Sequence, residues 1–163
     1  MIRIGLIADT HGLLRAEALD FLRGSDCIIH AGDICAAWVL DELARLAPVT
    51  AVRGNNDKGA WAQALRENET LRVGAVGIHV LHDLKQLAID PARMGVRVVI
   101  AGHSHKPSMV ERDGVLFVNP GSAGPRRFKL PVSAAELLLD GDAVSARLAE
   151  LLPPLATGEP GHS

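Results

Sequence analysis

The chain has 163 residues, of which 48% are apolar. This is enough for one domain with a hydrophobic core, so composition excludes a generally disordered protein. The net charge of -2 makes nucleic acid an unexpected partner, because binding by bulk positive charge is excluded. The first apolar run is too short for a secretory signal, and no run is long enough to cross a bilayer, so we expect a cytoplasmic protein without a membrane partner. The two cysteines, Cys27 and Cys35, predict packed free thiols and not a disulfide framework.

Strand-like and helix-like segments alternate in the first half of the chain. Apolar runs rich in Ile and Val predict buried strands at residues 2–8, 27–31 and 49–52. Residues 16–23 and 36–47 have the pattern of helices between these strands. This β-α-β-α-β order predicts a parallel sheet with right-handed crossovers.

The second half is richer in strands. We predict a hairpin of residues 70–73 and 75–81, a helical turn at 91–95, a buried strand at 96–101, and two further hairpins, 109–111 with 115–118 and 136–139 with 143–149. The last two hairpins have Asp-Gly turns, which favour tight reversals. We therefore predict a single domain over residues 1–152, followed by a flexible C-terminal tail over residues 153–163 that is rich in Pro and Gly.

Polar side chains interrupt the apolar pattern at the points where the predicted strands end. They are Asp9 and His11, then Asp33, then Asn55, Asn56 and Asp57, then His82 and Asp83, and finally His103 and His105. Ligands of open α/β sheets bind in the crevice beyond the carboxyl ends of the strands. We therefore expect these side chains to converge on one site.

The residue types in this set indicate a metal centre. Asp9 and His11, like His103 and His105, are two residues apart, so both side chains of a pair would point to one face of extended backbone. Carboxylate, amide and imidazole donors without a thiolate suit borderline divalent metals. Seven donors exceed one tetrahedral site and suit two octahedral metals about 3.5–4 Å apart that share a carboxylate. Taken alone, Asp9 could simply cap a helix and Asp33 could belong to an ordinary turn, so the prediction depends on the ordered set.

The ordered set of Asp9, His11, Gly32-Asp33, Gly54-Asn55, His82, Gly102-His103 and His105 resembles the calcineurin-like metallophosphoesterases, and within them the short bacterial and archaeal phosphodiesterases. Residues 119–122 and 124–127 are also similar to that subgroup, and the resemblance extends from residue 2 to about residue 151. It implies an α/β fold, a four-layer αββα sandwich of two mixed β-sheets with helices outside.

The resemblance also implies a ligand set. Asp9, His11, Asp33 and His105 would hold one metal, and Asp33, Asn55, His82 and His103 the other, with Asp33 bridging. Mn²⁺ is the favoured cofactor, with Ni²⁺, Co²⁺, Fe²⁺ or Zn²⁺ as alternatives. The implied activity is a metal-dependent phosphoesterase, first of all a phosphodiesterase, in which a hydroxide shared by the two metals attacks phosphorus of a small phosphoester in line with the leaving oxygen.

Four further residues are candidates for catalysis or phosphate binding. Asn56 is expected to bind phosphoryl oxygens, and it stands where many relatives carry a histidine that can act as general acid. Asp57 is the neighbouring candidate to supply a proton. Arg126 or Arg127 could add a bidentate contact to phosphate, although solvated surface charge is an equal interpretation for either. Relatives usually have glycine where this chain has Asp83, which could tune a ligand or repel an anionic substrate.

Two other functions fit the same pattern. The fold also occurs in a retromer subunit, a trafficking scaffold with a degraded metal site, and in phosphomonoesterases. All seven candidate ligands are present here, which favours catalysis. Asn56 disfavours monoester hydrolysis, because this reaction benefits from a protonating group and an amide does not supply one. The sequence leaves a homo-oligomer open.

Overall fold

The computed structural model describes residues 1–127 and 129–155. The predicted tail therefore lies outside the described residues from position 156 onward. The strands are β1 (Ile2–Ile7), β2 (Cys27–His30), β3 (Val49–Ala51), β4 (Asn68–Val73), β5 (Val76–Leu81), β6 (Val96–Ile100), β7 (Ser108–Arg112), β8 (Val115–Asn119), β9 (Val132–Asp140) and β10 (Ala143–Leu152). The helices are α1 (Ala16–Leu22), α2 (Ala37–Ala44) and α3 (Ala60–Gln63), with a 3-10 helix at Leu84–Gln86.

The first sheet has the strand order β10-β9-β1-β2-β3. β1, β2 and β3 are parallel neighbours, so the predicted β-α-β-α-β series is confirmed. β9 extends the sheet on the other side by antiparallel pairing with β1. The helices α1 and α2 cover the outer face, where Ala18, Leu22, Val39 and Leu43 are fully buried against this sheet.

The second sheet has the order β4-β5-β6-β8-β7. β5, β6 and β8 are parallel, and β4 and β7 are antiparallel edge strands of the hairpins that the sequence predicted. The two sheets pack face to face through a core cluster that includes Leu6, Ile78, Val98 and Leu137. The fold is thus the predicted α/β sandwich of two mixed sheets.

Several local predictions differ from the structure. The second helix ends at Ala44, three residues earlier than predicted, and Pro48 follows closely, as expected for a residue that cannot continue a helix. Residues 91–95, in contrast, do form the predicted turn, in which Met94 N–H donates to the Asp90 carbonyl at 3.2 Å. α3 and the 3-10 helix were not predicted, because elements of three or four residues carry almost no periodic signal. None of the helices in the described part of the chain is long and apolar enough to cross a membrane.

Candidate metal centre

The candidate ligands lie in loops at the carboxyl ends of five strands. The loop after β1 is bonded to the loop after β2, with Asp9 N–H donating to the Gly32 carbonyl and His11 N–H to the Asp33 carbonyl, both at 3.0 Å. In the second sheet, Gly102 N–H donates to the His82 carbonyl at 2.9 Å. The backbone N–H of His103 donates to Asp9 Oδ2 at 3.1 Å and so joins the two sheets at the site.

Five of the seven candidate ligands have left-handed backbone conformation. They are Asp9 (φ 54°), His11 (φ 49°), Asp33 (φ 56°), His103 (φ 71°) and His105 (φ 62°). Asp and His enter this region more often than other residues, but each such residue costs on the order of 1 kcal/mol or more. The two pairs Asp9/His11 and His103/His105 are therefore not extended as predicted. They converge because tight loops turn their side chains inward.

The two carboxylates stand at the centre of the ligand set. Asp33 Oδ2 lies 3.3 Å from His82 Nε2 and 3.7 Å from His11 Nε2, so this carboxylate approaches imidazoles that the resemblance assigns to different metals. Asp9 Oδ1 lies 3.6 Å from His105 Nε2 and 3.9 Å from His82 Nε2. Two groups of three donors result, each with its donor atoms within 4.8 Å of one another: Asp9, His11 and His105, and Asp9, Asp33 and His82. Asp9 thus faces both groups, whereas the resemblance assigned it to one metal.

Three atoms of this set are buried and have no hydrogen-bond partner among the described residues: Asp9 Oδ1, His82 Nε2 and His105 Nδ1. The other ring nitrogen of His82, Nδ1, donates to the Ala31 carbonyl at 2.8 Å, and this leaves the Nε2 lone pair free to face the carboxylates. Unsatisfied buried acceptors are costly in a folded protein, and a bound cation would satisfy Asp9 Oδ1 and His82 Nε2. The residues present therefore fit the implied metals.

The electrostatics of the site also suit metal ligands. Burial lowers the pKa of His105 to about 4 and also lowers the pKa of His11, so both imidazoles are neutral donors at neutral pH. Burial raises the pKa of Asp9 to about 7, because the nearby His82 imidazole and the His103 N–H offset only part of the cost of burying its charge. Burial also opposes ionisation of Asp33, but the His82 imidazole 3.3 Å away and two hydrogen bonds from Asn56 outweigh it and hold the Asp33 pKa below its usual range.

Asn55 and His103 form the more open side of the centre. They line a cleft of about 260 Å³ together with His82 and Asp83. The rings of His82 and His103 meet edge to face with centroids 5.1 Å apart. Asp83 Oδ2 lies 3.9 Å from His103 Nε2, and Asp83 Oδ1 accepts the Lys85 N–H at 3.1 Å. Asp83 thus lies beside a candidate ligand, where it can orient or polarise the His103 ring.

The two candidate catalytic residues after β3 have different surroundings. Asn56 is exposed and holds Asp33 with two hydrogen bonds, from its backbone N–H to Oδ1 at 2.9 Å and from its amide Nδ2 to Oδ2 at 3.0 Å. Asp57, the candidate to supply a proton, is buried and only 5% exposed. Its carboxylate accepts four backbone N–H groups, those of Asp33, Ile34, Cys35 and Gly54, at 2.8–3.0 Å. In this arrangement Asp57 shapes the loop that carries Asp33.

The two candidate phosphate-binding arginines diverge. Arg127 is exposed and lines a cavity of about 270 Å³ with His11, His105 and Pro125. Arg126 instead donates through Nη1 to the Pro153 carbonyl at 2.7 Å, near the end of β10. The structure therefore brings Arg127 to the metal centre but not Arg126.

Sequence reasoning missed several residues that hold the ligand loops. The Cys35 thiol lies 3.6 Å from His11 Nδ1 and 3.8 Å from the Asn56 carbonyl, which it contacts as a donor. Ser122 Oγ donates to the Asp9 carbonyl at 3.0 Å, and Asn119 Nδ2 donates to the Gly102 carbonyl at 2.9 Å. The segment 119–122, noted only for its resemblance, thus supports both ligand loops. Such long-range contacts have no local signal in one sequence.

Comparison with known proteins identifies the family. The model of the calcineurin-like phosphoesterase superfamily domain matches residues 2–142. The chain belongs to this superfamily. It is 35% identical over 156 residues to a protein of Methanothermobacter thermautotrophicus named probable metallophosphoesterase, covering 89% of this chain and 90% of the relative. It is 28% identical over 138 residues to a phosphodiesterase of Methanocaldococcus jannaschii, covering 74% and 83% of the two chains.

A solved structure with the same fold is vacuolar protein sorting 29 of Cryptosporidium parvum, with a TM-score of 0.78 at 21% identity, covering 97% of this chain and 93% of that one. At this identity the likeness establishes the fold alone. The family match and the named relatives, and not this likeness, identify the chain as a metallophosphoesterase-family hydrolase. It has candidate ligand groups for divalent metals.

We expect Asp57→Ala to lower the free energy of unfolding by at least about 3 kcal/mol, because it leaves four backbone N–H groups without their charged acceptor. Asp20→Ala is the matched control, since the Asp20 side chain is 74% exposed. Urea unfolding in the presence of a chelator measures both variants without a metal contribution. Equal stability of the two variants would show that Asp57 does not hold the Asp33 loop.

Proposed function

We propose that this protein is a phosphodiesterase that uses two divalent metal ions, with Mn²⁺ favoured, to hydrolyse a small phosphoester. The observation that carries the proposal is the set of buried, unpartnered acceptors at the centre of the ligand set, Asp9 Oδ1 and His82 Nε2. Ni²⁺, Co²⁺, Fe²⁺ and Zn²⁺ would be accepted by the same oxygen and nitrogen donors. A cytoplasmic location, and the absence of nucleic-acid and membrane partners, stay predictions from composition.

The reaction chemistry is divided between the metals and the chain. When bound, the cations would supply Lewis acidity, which would activate water for attack on phosphorus and offset the charge on the phosphoryl oxygens. Asp33 Oδ2 lies within 3.7 Å of the His11 and His82 imidazoles, which supports Asp33 as the shared ligand, and Asp9, which belongs to both donor groups, is the second carboxylate that would contact the metals. Asn56 orients Asp33 through its amide. Arg127 lies at the cavity beside His11 and His105, where its guanidinium can contact a phosphate oxygen.

The preference for diesters rests on Asn56, which stands where a proton donor for the leaving group would be expected. An amide cannot protonate a departing alkoxide, and Asp57 is committed to backbone N–H groups. Monoesters of ordinary alcohols depend most on such a proton. The relative named a phosphodiesterase supports the same class.

The trafficking scaffold is the second candidate, and the structural likeness to vacuolar protein sorting 29 favours it. Against it, the donors of this chain converge to within 4.8 Å in two groups, and Asp9, Asp33, His82 and His105 are all buried. A scaffold has no need for buried carboxylates and imidazoles without hydrogen-bond partners. A phosphomonoesterase of the same fold is the remaining alternative.

Purified protein, stripped of metal and then supplied with Mn²⁺, should hydrolyse phosphodiesters and should do so faster than the corresponding monoesters. The same preparation without added metal is the control. Faster monoester turnover would indicate the phosphomonoesterase, and no hydrolysis of either class with any of the five metals would favour the scaffold.

We expect Asp33→Ala to lose affinity for both metals, because the bridging carboxylate compensates two adjacent cations. His105→Ala should lose mainly one equivalent, since His105 faces Asp9 and His11 but not His82. His79→Ala is the control, because His79 does not belong to the ligand set. Its Nδ1 is instead hydrogen-bonded to Thr70 Oγ1 at 2.7 Å. Elemental analysis counts the bound metal. Tight retention of two equivalents by Asp33→Ala would disprove the bridge.

The rate should fall steeply as the leaving alcohol of the diester becomes less acidic, because the amide of Asn56 cannot protonate the departing oxygen. General acid catalysis contributes about 10²–10⁴-fold, so aryl esters should exceed alkyl esters by a factor of this order. Asn56→His should recover part of the alkyl rate if its imidazole reaches the leaving oxygen. A rate series across leaving groups, with equal metal content in both proteins, measures this. A flat series in the parent protein would mean that another group already donates the proton.

A further inference from the structure

A second cleft adjoins the metal centre on the outer face of the second sheet. Its volume is about 480 Å³, and its apolar floor is formed mainly by Val99, Ala101, Val110 and Phe117. The 3-10 helix contributes Leu84 and Lys85 to one wall. We call this cleft the outer groove.

The edge strand β7 builds the other wall of the outer groove with alternate residues. Ser108, Val110 and Arg112 line it, and the intervening Met109 and Glu111 do not. This alternation is the period of a β-strand, so one face of β7 belongs to the groove. Val110 is 48% exposed, which is high for a β-branched side chain on a sheet with an apolar neighbourhood. The Arg112 guanidinium lies 5.0 Å from the centroid of the Phe117 ring and adds a cation above the apolar floor.

The outer groove is continuous with the metal centre. Asp83 and His103 line both the outer groove and the cleft that contains Asn55 and His82. A phosphoester held at the candidate ligands can therefore extend past His103 without leaving the protein surface. The groove is apolar at its floor, and its two cationic side chains, Lys85 and Arg112, outnumber the carboxylate of Asp83, which suits an anion that carries an aromatic group.

We propose that the outer groove binds an aromatic ester group of the substrate while the phosphoryl group lies at the metal centre. This inference rests on the proposed function and narrows it to phosphoesters of aromatic or base-bearing alcohols. It assigns specificity to β7 and Phe117, which the metal-ligand set does not include. The groove would change the affinity for the substrate, whereas the acidity of the leaving alcohol changes the rate of hydrolysis, so the two effects can be measured separately.

Phenylphosphonate and 2-naphthylphosphonate test the proposal, because their carbon–phosphorus bonds are not hydrolysed by this chemistry. Calorimetric titration of the metal-loaded protein should show about tenfold tighter binding of the naphthyl compound, as expected when a second ring leaves water for an apolar surface. Val110→Asp should abolish this preference. Met109→Asp should keep this preference, because Met109 is the preceding residue of β7, is also exposed, and does not line the groove.

Equal binding of the two phosphonates, or an equal effect of the two β7 variants, would overturn the proposal. Binding of 2-naphthol as tight as that of 2-naphthylphosphonate would also overturn it, because the groove would then take apolar ligands, such as a partner protein's side chain, independently of the metal centre. Since the titration needs no turnover, a naphthyl preference in a protein that hydrolyses no ester would support the groove while contradicting the proposed function.

Discussion

The structure depends on holding five polar side chains in left-handed backbone at the ends of β1, β2 and β6. This conformation is unfavourable for each residue, and it brings carboxylates and imidazoles together where like charges and burial also oppose them. Strand pairing and burial in the sandwich compensate for this cost. β1 and β2 pair in parallel, and residues such as Leu6 and Ile29 are fully buried. The fold therefore fixes the positions of the loops that carry these donors.

Close approach between the ligand loops is a second consequence of this constraint. A side chain at Gly54 would overlap the Asp33 carboxylate, and a Cβ at Gly102 would lie 2.9 Å from Asp9 Oδ2. Glycine at both positions lets the backbone of one loop pass directly over the carboxylate of the next. Asp57 and Ser122 then bond the same loops from beneath, through Gly54 N–H and the Asp9 carbonyl. Small residues and buried hydrogen bonds thus hold the donors in position together.

The sequence predicted the strands, their mixed pairing and the strand-end location of the site, because apolar runs and Asp-Gly turns are local signals. It predicted the ligand types for the same reason, since Asp9, His11, His103 and His105 interrupt clear apolar patterns. It did not predict the left-handed geometry of these residues, the buried acceptor role of Asp57, or the different directions of Arg126 and Arg127. Each of these is decided by contacts between segments far apart in sequence, such as Arg126 with Pro153.

The central proposal is that the ligand set holds two metals on either side of Asp33. Anomalous diffraction from crystals soaked in Mn²⁺ measures this directly, because it locates each metal independently of the protein's activity. We expect two peaks about 3.5–4 Å apart, one beside His11 and His105 and the other beside His82 and His103, with Asp33 in contact with both. A single peak, or two peaks that Asp33 does not join, would contradict the account.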